Sequence, residues 1–320
     1  MSEIQATECV EKPWLPVGSE KVRFGNLFCL SPNVWQNVEE SAFRDLCVET
    51  QNEGDLLISD EGVYGGVVSP QPWMPETGWK HGEYIELKRQ VSVQSDLCSL
   101  TSHLERLQTH SSRFGYGKIK VLITTRRQDT KLASGYAQVS NRVRGASQKS
   151  FEKWVRYLTN DPLGYSAAGG AKLDYFEWWR SISGIVGKEN MFLLPFELLK
   201  QDSREFLWKW LEYIDVPKKE QILESVLREE EEADRNSRAT SRCTWSLSDP
   251  IRRGTLPAGR VLTALGLPFR IPLRWPDFSR EEEIRLSDEL SDEILSAYVE
   301  SNQSLDESLP HLDLERYGYY

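Results

Sequence analysis

The stretch Val121–Tyr136, VLITTRRQDTKLASGY, decides the fold that we expect for this chain. Its first four residues form a short apolar, β-rich run that is typical of a buried parallel strand. Arg126 and Arg127 follow where that strand would end. Beyond them, apolar residues recur at helical spacing: Leu132, Tyr136, Val139 and Val143. The order strand, basic turn, helix predicts an open α/β sheet, in which ligands bind beyond the carboxyl ends of the strands.

The basic turn in this stretch has the chemistry of an anion site. The start of a helix offers unpaired N–H groups and a partial positive charge, and both favour a phosphate. Arg126 adds a planar, permanently charged group that matches phosphate oxygens. Ser134 follows eight residues later and would offer a hydroxyl from inside the helix. The alternative is a surface arginine followed by a helical serine, and on this spacing alone it is the simpler interpretation.

Composition restricts the class of protein. With 320 residues, 39% of them hydrophobic, the chain is long enough for one large α/β domain with a helical extension. A net charge of −10 argues against a general nucleic-acid binder, which would carry a basic surplus. The five cysteines are scattered and lack metal-ligand spacing, so we expect reduced thiols and no metal. The acidic start is unlike a signal peptide and no apolar run could span a bilayer, so the expected location is cytoplasmic.

Two further strands are predicted on either side of the central one. Asp55–Glu61, DLLISDE, and Asn190–Phe196, NMFLLPF, are short apolar runs that end at acidic residues. Amphipathic helices are predicted between and after the strands at 95–108, 151–158, 175–186 and 202–214. This alternation predicts parallel strands with right-handed crossovers, hence an α/β fold with a central parallel sheet flanked by helices.

The chain is predicted to divide into an irregular N-terminal segment, residues 1–53, and an α/β domain, residues 54–320. Prolines and glycines interrupt the N-terminal segment, in which Glu39–Glu49 is the one candidate helix. Residues 217–320 are more charged and are predicted to form a helical C-terminal extension.

Two features are expected near the C-terminus. Ser279 and the acidic residues after it would cap a last long helix with Leu290, Ile294 and Tyr298 on one face. The chain then ends LDLERYGYY at 312–320, and we expect this aromatic tail to pack back on the body of the protein.

The acidic pair Asp60-Glu61 ends the first predicted strand of the domain. Two carboxylates this close raise each other's pKa, so one of them could accept a proton near neutral pH. The alternative is that they cap a helix or stabilise a turn, which is at least as good an interpretation of the pair alone.

Several segments, taken in order, resemble sulfotransferases that use 3′-phosphoadenosine 5′-phosphosulfate (PAPS), in particular their bacterial carbohydrate-sulfotransferase-like branch. These segments are LLISDEG at 56–62, VLITTRRQDTKLASGYAQ at 121–138, GKENMFLLPFELLKQD at 187–202, YVESNQSL at 298–305 and LDLERYGYY at 312–320.

The resemblance implies a P-loop nucleotide-kinase-like fold and transfer of a sulfuryl group from PAPS, without a metal, to a hydroxyl of a carbohydrate or small-molecule acceptor. By the same resemblance, Arg126 and Ser134 would bind the 3′-phosphate of PAPS. Glu61 would take the place of the base that deprotonates the acceptor.

One part of the family pattern is missing. Sulfotransferases open with a strand and a turn carrying Lys and Ser or Thr, which surrounds the 5′-phosphosulfate. Residues 1–53 contain no such motif, and Gly18–Lys21, GSEK, is the nearest candidate. A second hypothesis is therefore a non-catalytic, sulfotransferase-like binding protein that has lost this loop. A nucleotide kinase is less well supported, because the chain has no Gly-Lys-Ser/Thr turn.

Overall fold

Helices and short strand pairs make up the computed structural model of this chain. It describes residues 7–11, 13–28, 30–46, 55–59, 96–140, 146–159, 173–232, 239–241, 243–247 and 282–320. The predicted base Glu61 lies outside these residues, as do its neighbour Asp60, Val143 of the predicted central helix, and Ser279.

Parallel strand pairs form where the sequence predicts strands. β5, Val121–Thr125, pairs in parallel with β6, Met191–Pro195, so that Val121 lies opposite Met191. β4, Asp55–Ser59, pairs in parallel with an N-terminal strand, β1, Thr7–Glu11. In the described part of the chain these are separate two-stranded sheets. The fold is therefore mixed α/β with parallel strands, and the single central sheet that the sequence predicts is not formed by these residues.

The helices flank these strands and largely follow the predicted positions. In chain order they are α1 Phe24–Leu27, α2 Asp96–His110, α3 Gln128–Val139, α4 Gln148–Thr159, α5 Tyr175–Val186, α6 Phe196–Gln201, α7 Ser203–Ile214, α8 Lys219–Glu232, α9 Asp288–Ser296 and α10 Val299–Ser308. The helices predicted at 95–108, 151–158, 175–186 and 202–214 are confirmed as α2, α4, α5 and α7.

The N-terminal segment that the sequence predicts to be irregular contains regular structure. Besides β1 it forms an antiparallel hairpin of β2, Trp14–Val17, and β3, Glu20–Arg23. Gly18, at φ +60°, and Ser19 form its two-residue turn, as in type II′ hairpins. The nearest candidate for a phosphate-binding loop is thus a hairpin turn.

The candidate helix at Glu39–Glu49 is much shorter in the structure. The described part of this segment, residues 39–46, consists of a turn and a three-residue 3₁₀ helix, Arg44–Leu46. Phe43, within this segment, is nevertheless buried in an N-terminal core around Trp35. Phe43 can therefore be buried even though this segment does not form a full α-helical turn.

The predicted long C-terminal helix is wrong in its start and its continuity. Glu283–Arg285 is a strand, β9, in an antiparallel sheet with β8, Thr244–Ser246, and β7, Ala239–Ser241. The helix α9 begins only after Ser287, whose Oγ accepts a hydrogen bond from the Leu290 N–H at 3.2 Å. Ile284 alone is buried between two exposed neighbours, and this alternation suits a strand.

The aromatic tail at 312–320 packs back on the body, as predicted. Leu312, Leu314, Tyr317 and Tyr319 are buried in a core cluster with α5, β6 and α7. A second cluster joins α3 and α4 to α9 around Tyr136, Phe151 and Ile294. β5 and β6 contribute to the first cluster, and α3, which follows β5, contributes to the second, so close packing supports the turn between β5 and α3.

Candidate functional site

Arg126 lies directly after β5, at the predicted position, and its backbone and side chain are both held in place. The Tyr175 hydroxyl donates to the Arg126 carbonyl oxygen at 2.7 Å and accepts from the Arg126 N–H at 3.4 Å. The Arg126 Nε donates to the Thr130 Oγ1 at 3.2 Å. The guanidinium carbon lies 5.3 Å from the centre of the Phe196 ring. This half-buried guanidinium is therefore oriented before any ligand arrives.

Arg127, the second arginine of the turn, has a different partner and a structural role. Its Nε and one terminal nitrogen donate to the two carboxylate oxygens of Asp129, at 3.2 and 2.6 Å. The buried Asp129 also accepts from the Ser291 hydroxyl at 2.6 Å. Burial opposes the charge of Arg127, but the hydrogen bonds and charge of Asp129 outweigh it and raise the pKa of Arg127. Asp129 thus neutralises Arg127, and Arg126 is the arginine left for a ligand.

Two lysines that the sequence analysis did not single out extend the positive charge around Arg126. Lys131 stands in the first turn of α3, and Lys200 in α6. The Lys200 Nζ lies 5.5 Å from the centre of the same Phe196 ring that Arg126 contacts. Burial lowers the pKa of Arg126, and burial together with the charge of Arg126 lowers the pKa of both lysines. The positive charge of Arg126 thus acts on each of the two lysines, and a bound anion would relieve that repulsion.

Glu197, the first acidic residue after β6, is the carboxylate at the same edge. Its Oε1 accepts the Arg127 N–H at 3.1 Å, and its Oε2 accepts the Tyr319 hydroxyl at 2.8 Å. Burial and the nearby charge of Glu197 raise the pKa of Tyr319 well above its ordinary value, so the hydroxyl keeps its proton and donates. The carboxylate therefore joins the turn after β5 to the C-terminal tail.

Ser134 lies on α3, one helical turn after Thr130, and is half-buried. Position 134 neighbours positions 130 and 131 on the helix surface, because residues three and four apart lie next to each other there. Ser134 therefore lies on the face that carries Lys131 and the Thr130 hydroxyl bound to Arg126. Thr130, whose hydroxyl accepts from the Arg126 side chain, is thus the residue that links Arg126 to the helix face of Ser134.

A buried pair of amides fixes the start of α3 to the C-terminal part of the chain. The Gln128 Nε2 donates to the Asn302 Oδ1 at 2.8 Å and to the Leu173 carbonyl oxygen at 3.2 Å. The Asn302 Nδ2 in turn donates to the Tyr319 carbonyl oxygen at 2.9 Å. Gln128 and Asn302 are both fully buried, so their satisfied hydrogen bonds hold α3 and the tail in one register.

Sequence reasoning missed Tyr175, Glu197, Lys131 and Lys200 as parts of this site. Lys131 could have been found, since it lies on the face of α3 that Ser134 occupies. Lys200 and Glu197 follow β6, and the end of a parallel strand beside β5 is where site residues are expected. Tyr175 gives no local signal, because its hydroxyl reaches Arg126 across 49 residues of sequence.

The described residues form no cluster of His, Cys, Asp and Glu that could hold a metal ion. None of the helices in the described ranges combines the length and apolar composition that crossing a bilayer requires. Comparison of the chain with models of protein families, with curated proteins and with solved structures finds no match. The cationic cluster is therefore the feature of this chain that bears on function.

Proposed function

We propose that this protein is a PAPS-dependent sulfotransferase that transfers a sulfuryl group to a hydroxyl of a carbohydrate or small-molecule acceptor. The observation that carries the proposal is the cluster of Arg126, Lys131 and Lys200 at the ends of two parallel strands, with Ser134 on the same helix face. Three cations beside a helix start, of which Arg126 repels each lysine, favour a doubly charged group such as a phosphate monoester.

In this proposal Arg126 and Ser134 bind the 3′-phosphate of PAPS. The guanidinium, oriented by Thr130 and Phe196, donates two hydrogen bonds, and the Ser134 hydroxyl donates a third. Lys131 adds charge from the first turn of α3. The more exposed Lys200 lies at the rim, where it attracts the ligand.

The chemistry that we propose is an in-line displacement at sulfur. The acceptor oxygen forms a new S–O bond as the S–O bond to the 5′-phosphate breaks, and 3′-phosphoadenosine 5′-phosphate (PAP) leaves. Glu61, which follows the strand β4, would accept the proton of the acceptor hydroxyl. The protein itself then needs to supply only position and charge.

A non-catalytic binding protein is the second candidate, and one observation favours it. The chain after β1 turns into the hairpin β2–β3, with Gly18 and Ser19 in its turn. The residues described there offer no turn that opens a helix and surrounds the 5′-phosphosulfate. Such a protein would bind PAP through Arg126 and transfer nothing.

Calorimetric titration with PAP tests nucleotide binding through Arg126, which both candidate functions require. We expect the wild type to bind, and Arg126→Ala to weaken binding at least about tenfold, because a charge-assisted hydrogen bond is lost. Arg228→Ala, on the exposed surface of α8, removes the same charge elsewhere and should bind as the wild type does. A wild type that does not bind PAP, or equal affinities of the two variants, would contradict the proposal.

Transfer of radiolabelled sulfate from PAPS to a panel of sugars and small alcohols separates the two candidates. An enzyme should label an acceptor, and Glu61→Gln should abolish labelling while PAP binding persists. Retained PAP binding without labelling of any acceptor would favour the binding protein. Unchanged labelling by Glu61→Gln would remove Glu61 as the base.

A further inference from the structure

The hydroxyl of Tyr319, in the C-terminal tail, connects to the anion site through one carboxylate. Tyr319 is buried, and its hydroxyl donates to the Glu197 Oε2 at 2.8 Å and lies 3.4 Å from the Thr125 Oγ1. The other oxygen of Glu197 accepts the Arg127 N–H at 3.1 Å. Both oxygens of this carboxylate are thus occupied by donors that are not the ligand-binding cations.

This arrangement matters because the Glu197 carboxylate can compete with an anionic ligand for the same cations. Its charge acts on both Arg126 and Lys200, raising the pKa of each against the lowering effect of burial. No ion pair within 4.0 Å joins Arg126 or Lys200 to an acidic residue in the described ranges. A carboxylate released from its present donors would be attracted to these cations and would occupy the place of the ligand.

We propose that Tyr319 is a positioning residue that holds the Glu197 carboxylate away from Arg126 and Lys200, and so keeps the cationic cluster open to a phosphate-bearing ligand. The proposal rests on the proposed function in so far as the cluster binds an anion. Because Tyr319 of the C-terminal tail binds the Glu197 carboxylate, docking of the tail and affinity for the anion are coupled. The coupling is reciprocal: a bound anion should also favour the docked tail.

The tail offers a matched control for Tyr319. The Tyr320 hydroxyl donates to the Asp306 Oδ2 at 2.8 Å, also a tyrosine-to-carboxylate hydrogen bond. Its carboxylate belongs to α10 and does not contact the cationic cluster. Tyr319→Phe and Tyr320→Phe therefore each remove one hydroxyl from the tail and keep the ring.

Titration with inorganic pyrophosphate and with PAP, at low salt, tests the inference in four proteins: wild type, Tyr319→Phe, Tyr320→Phe and Glu197→Gln. We expect Tyr319→Phe to weaken pyrophosphate binding about threefold to tenfold, in line with the net contribution of one ordinary hydrogen bond. Tyr320→Phe should bind as the wild type does, and Glu197→Gln should bind more tightly because the competing charge is gone.

A double variant separates positioning from general support of the fold. When Glu197→Gln is already present, adding Tyr319→Phe should leave the affinity within about twofold, since no charged competitor remains to be held. Equal loss of affinity with and without Glu197→Gln would overturn the inference and leave Tyr319 as a packing residue. So would equal binding by Tyr319→Phe and Tyr320→Phe.

The two ligands keep this inference and the proposed function apart. Binding of pyrophosphate but not PAP contradicts the sulfotransferase proposal, and the inference is then decided with pyrophosphate alone. Binding of both ligands with no effect of Tyr319→Phe overturns the inference and leaves the function standing. A wild type that binds neither ligand contradicts both.

Discussion

His103 has a fully buried imidazole with both ring nitrogens in hydrogen bonds. The Trp35 Nε1 donates to the His103 Nδ1 at 3.1 Å, so Nδ1 is the acceptor and carries no proton. The Nε2 must then carry the proton, and it donates to the Leu30 carbonyl oxygen at 3.1 Å. Burial disfavours the charged ring and lowers the pKa of His103 to about 4. The N-terminal core therefore needs a neutral histidine.

This histidine predicts a pH dependence of stability. The pKa of His103 is about 4 in the folded protein, against 6.5 for an ordinary histidine. The unfolded chain therefore takes up the proton first as the pH falls, and the stabilising contribution, complete above the unfolded pKa, is lost between about pH 6.5 and pH 4. The free energy of unfolding should fall by about 2 kcal/mol on this account between about pH 7 and pH 5.

Urea denaturation of the wild type and of His103→Gln across this pH range measures the effect. The pKa values of His110 and His311 are also lowered by burial, so the difference between the two proteins isolates His103. The wild type should lose more stability than the variant on acidification. Parallel pH profiles would show that His103 is not responsible.

At the scale of elements, α7 shows how a local signal sets a helix start. The Asp202 Oδ1 accepts the Glu205 N–H at 2.8 Å, the N-cap bond that is typical of a sequence such as Asp202–Glu205, DSRE. The helix ends at Ile214, and its C-cap Asp215 adopts a left-handed conformation at φ 57°. Phe206 and Leu211 bury the inner face of the helix. Cap and apolar spacing both lie within a few residues of sequence, and so this helix could be predicted.

Removing the N-cap should destabilise the protein without changing the anion site. We expect Asp202→Ala to lower the free energy of unfolding by about 1 kcal/mol, because one N–H at the start of α7 loses its acceptor. Asp202→Asn keeps a side-chain oxygen at that position and should stay close to the wild type. Thermal unfolding of the three proteins measures this, and equal loss in both variants would mean that the charge matters rather than the cap.

β9 shows the opposite case at the same scale. The acidic run before it and the apolar residues after it predict a helix start at Ser279, yet Glu283–Arg285 pairs with β8. The Gln148 side chain, from α4, also binds the backbone of Arg285 through two hydrogen bonds. These partners are more than 30 residues away in sequence, and pairing with them outweighs the local helical preference.

For the molecule as a whole, the C-terminal tail, residues 312–320, completes the core cluster of α5, β6 and α7. Leu314 is fully buried in the cluster with α5 and β6, and its N–H donates to the Asp306 Oδ1 at 2.9 Å. The tail also carries Tyr319 to Glu197, so packing of the core and geometry of the anion site depend on one segment.

Leu314→Ala should therefore be among the costly substitutions in this chain. We expect the free energy of unfolding to fall by about 2–4 kcal/mol, since the lost side chain leaves a cavity in the core. Glu315→Ala, at the exposed neighbouring position, should change it by less than about 0.5 kcal/mol. Denaturant unfolding of both variants tests this, and a small effect of Leu314→Ala would mean that the tail is dispensable for the core.

Sequence by itself determined the features that depend on near neighbours. The strands β4, β5 and β6, most helices, the Asp202 cap and the basic turn at Arg126 follow from short apolar runs, helical spacing and capping chemistry. Apolar and aromatic residues at 312–320 likewise had to be buried, because exposing them to water is unfavourable.

Only the tertiary structure decided which strands pair and which side chains share the site. It paired β4 with the N-terminal β1, made Gly18 part of a hairpin turn, and brought Lys131 and Lys200 beside Arg126. It also gave the two adjacent arginines different partners: Arg127 pairs with Asp129, and Arg126 is oriented by Thr130. These outcomes depend on packing and charge between residues distant in sequence, and no local pattern records such contacts.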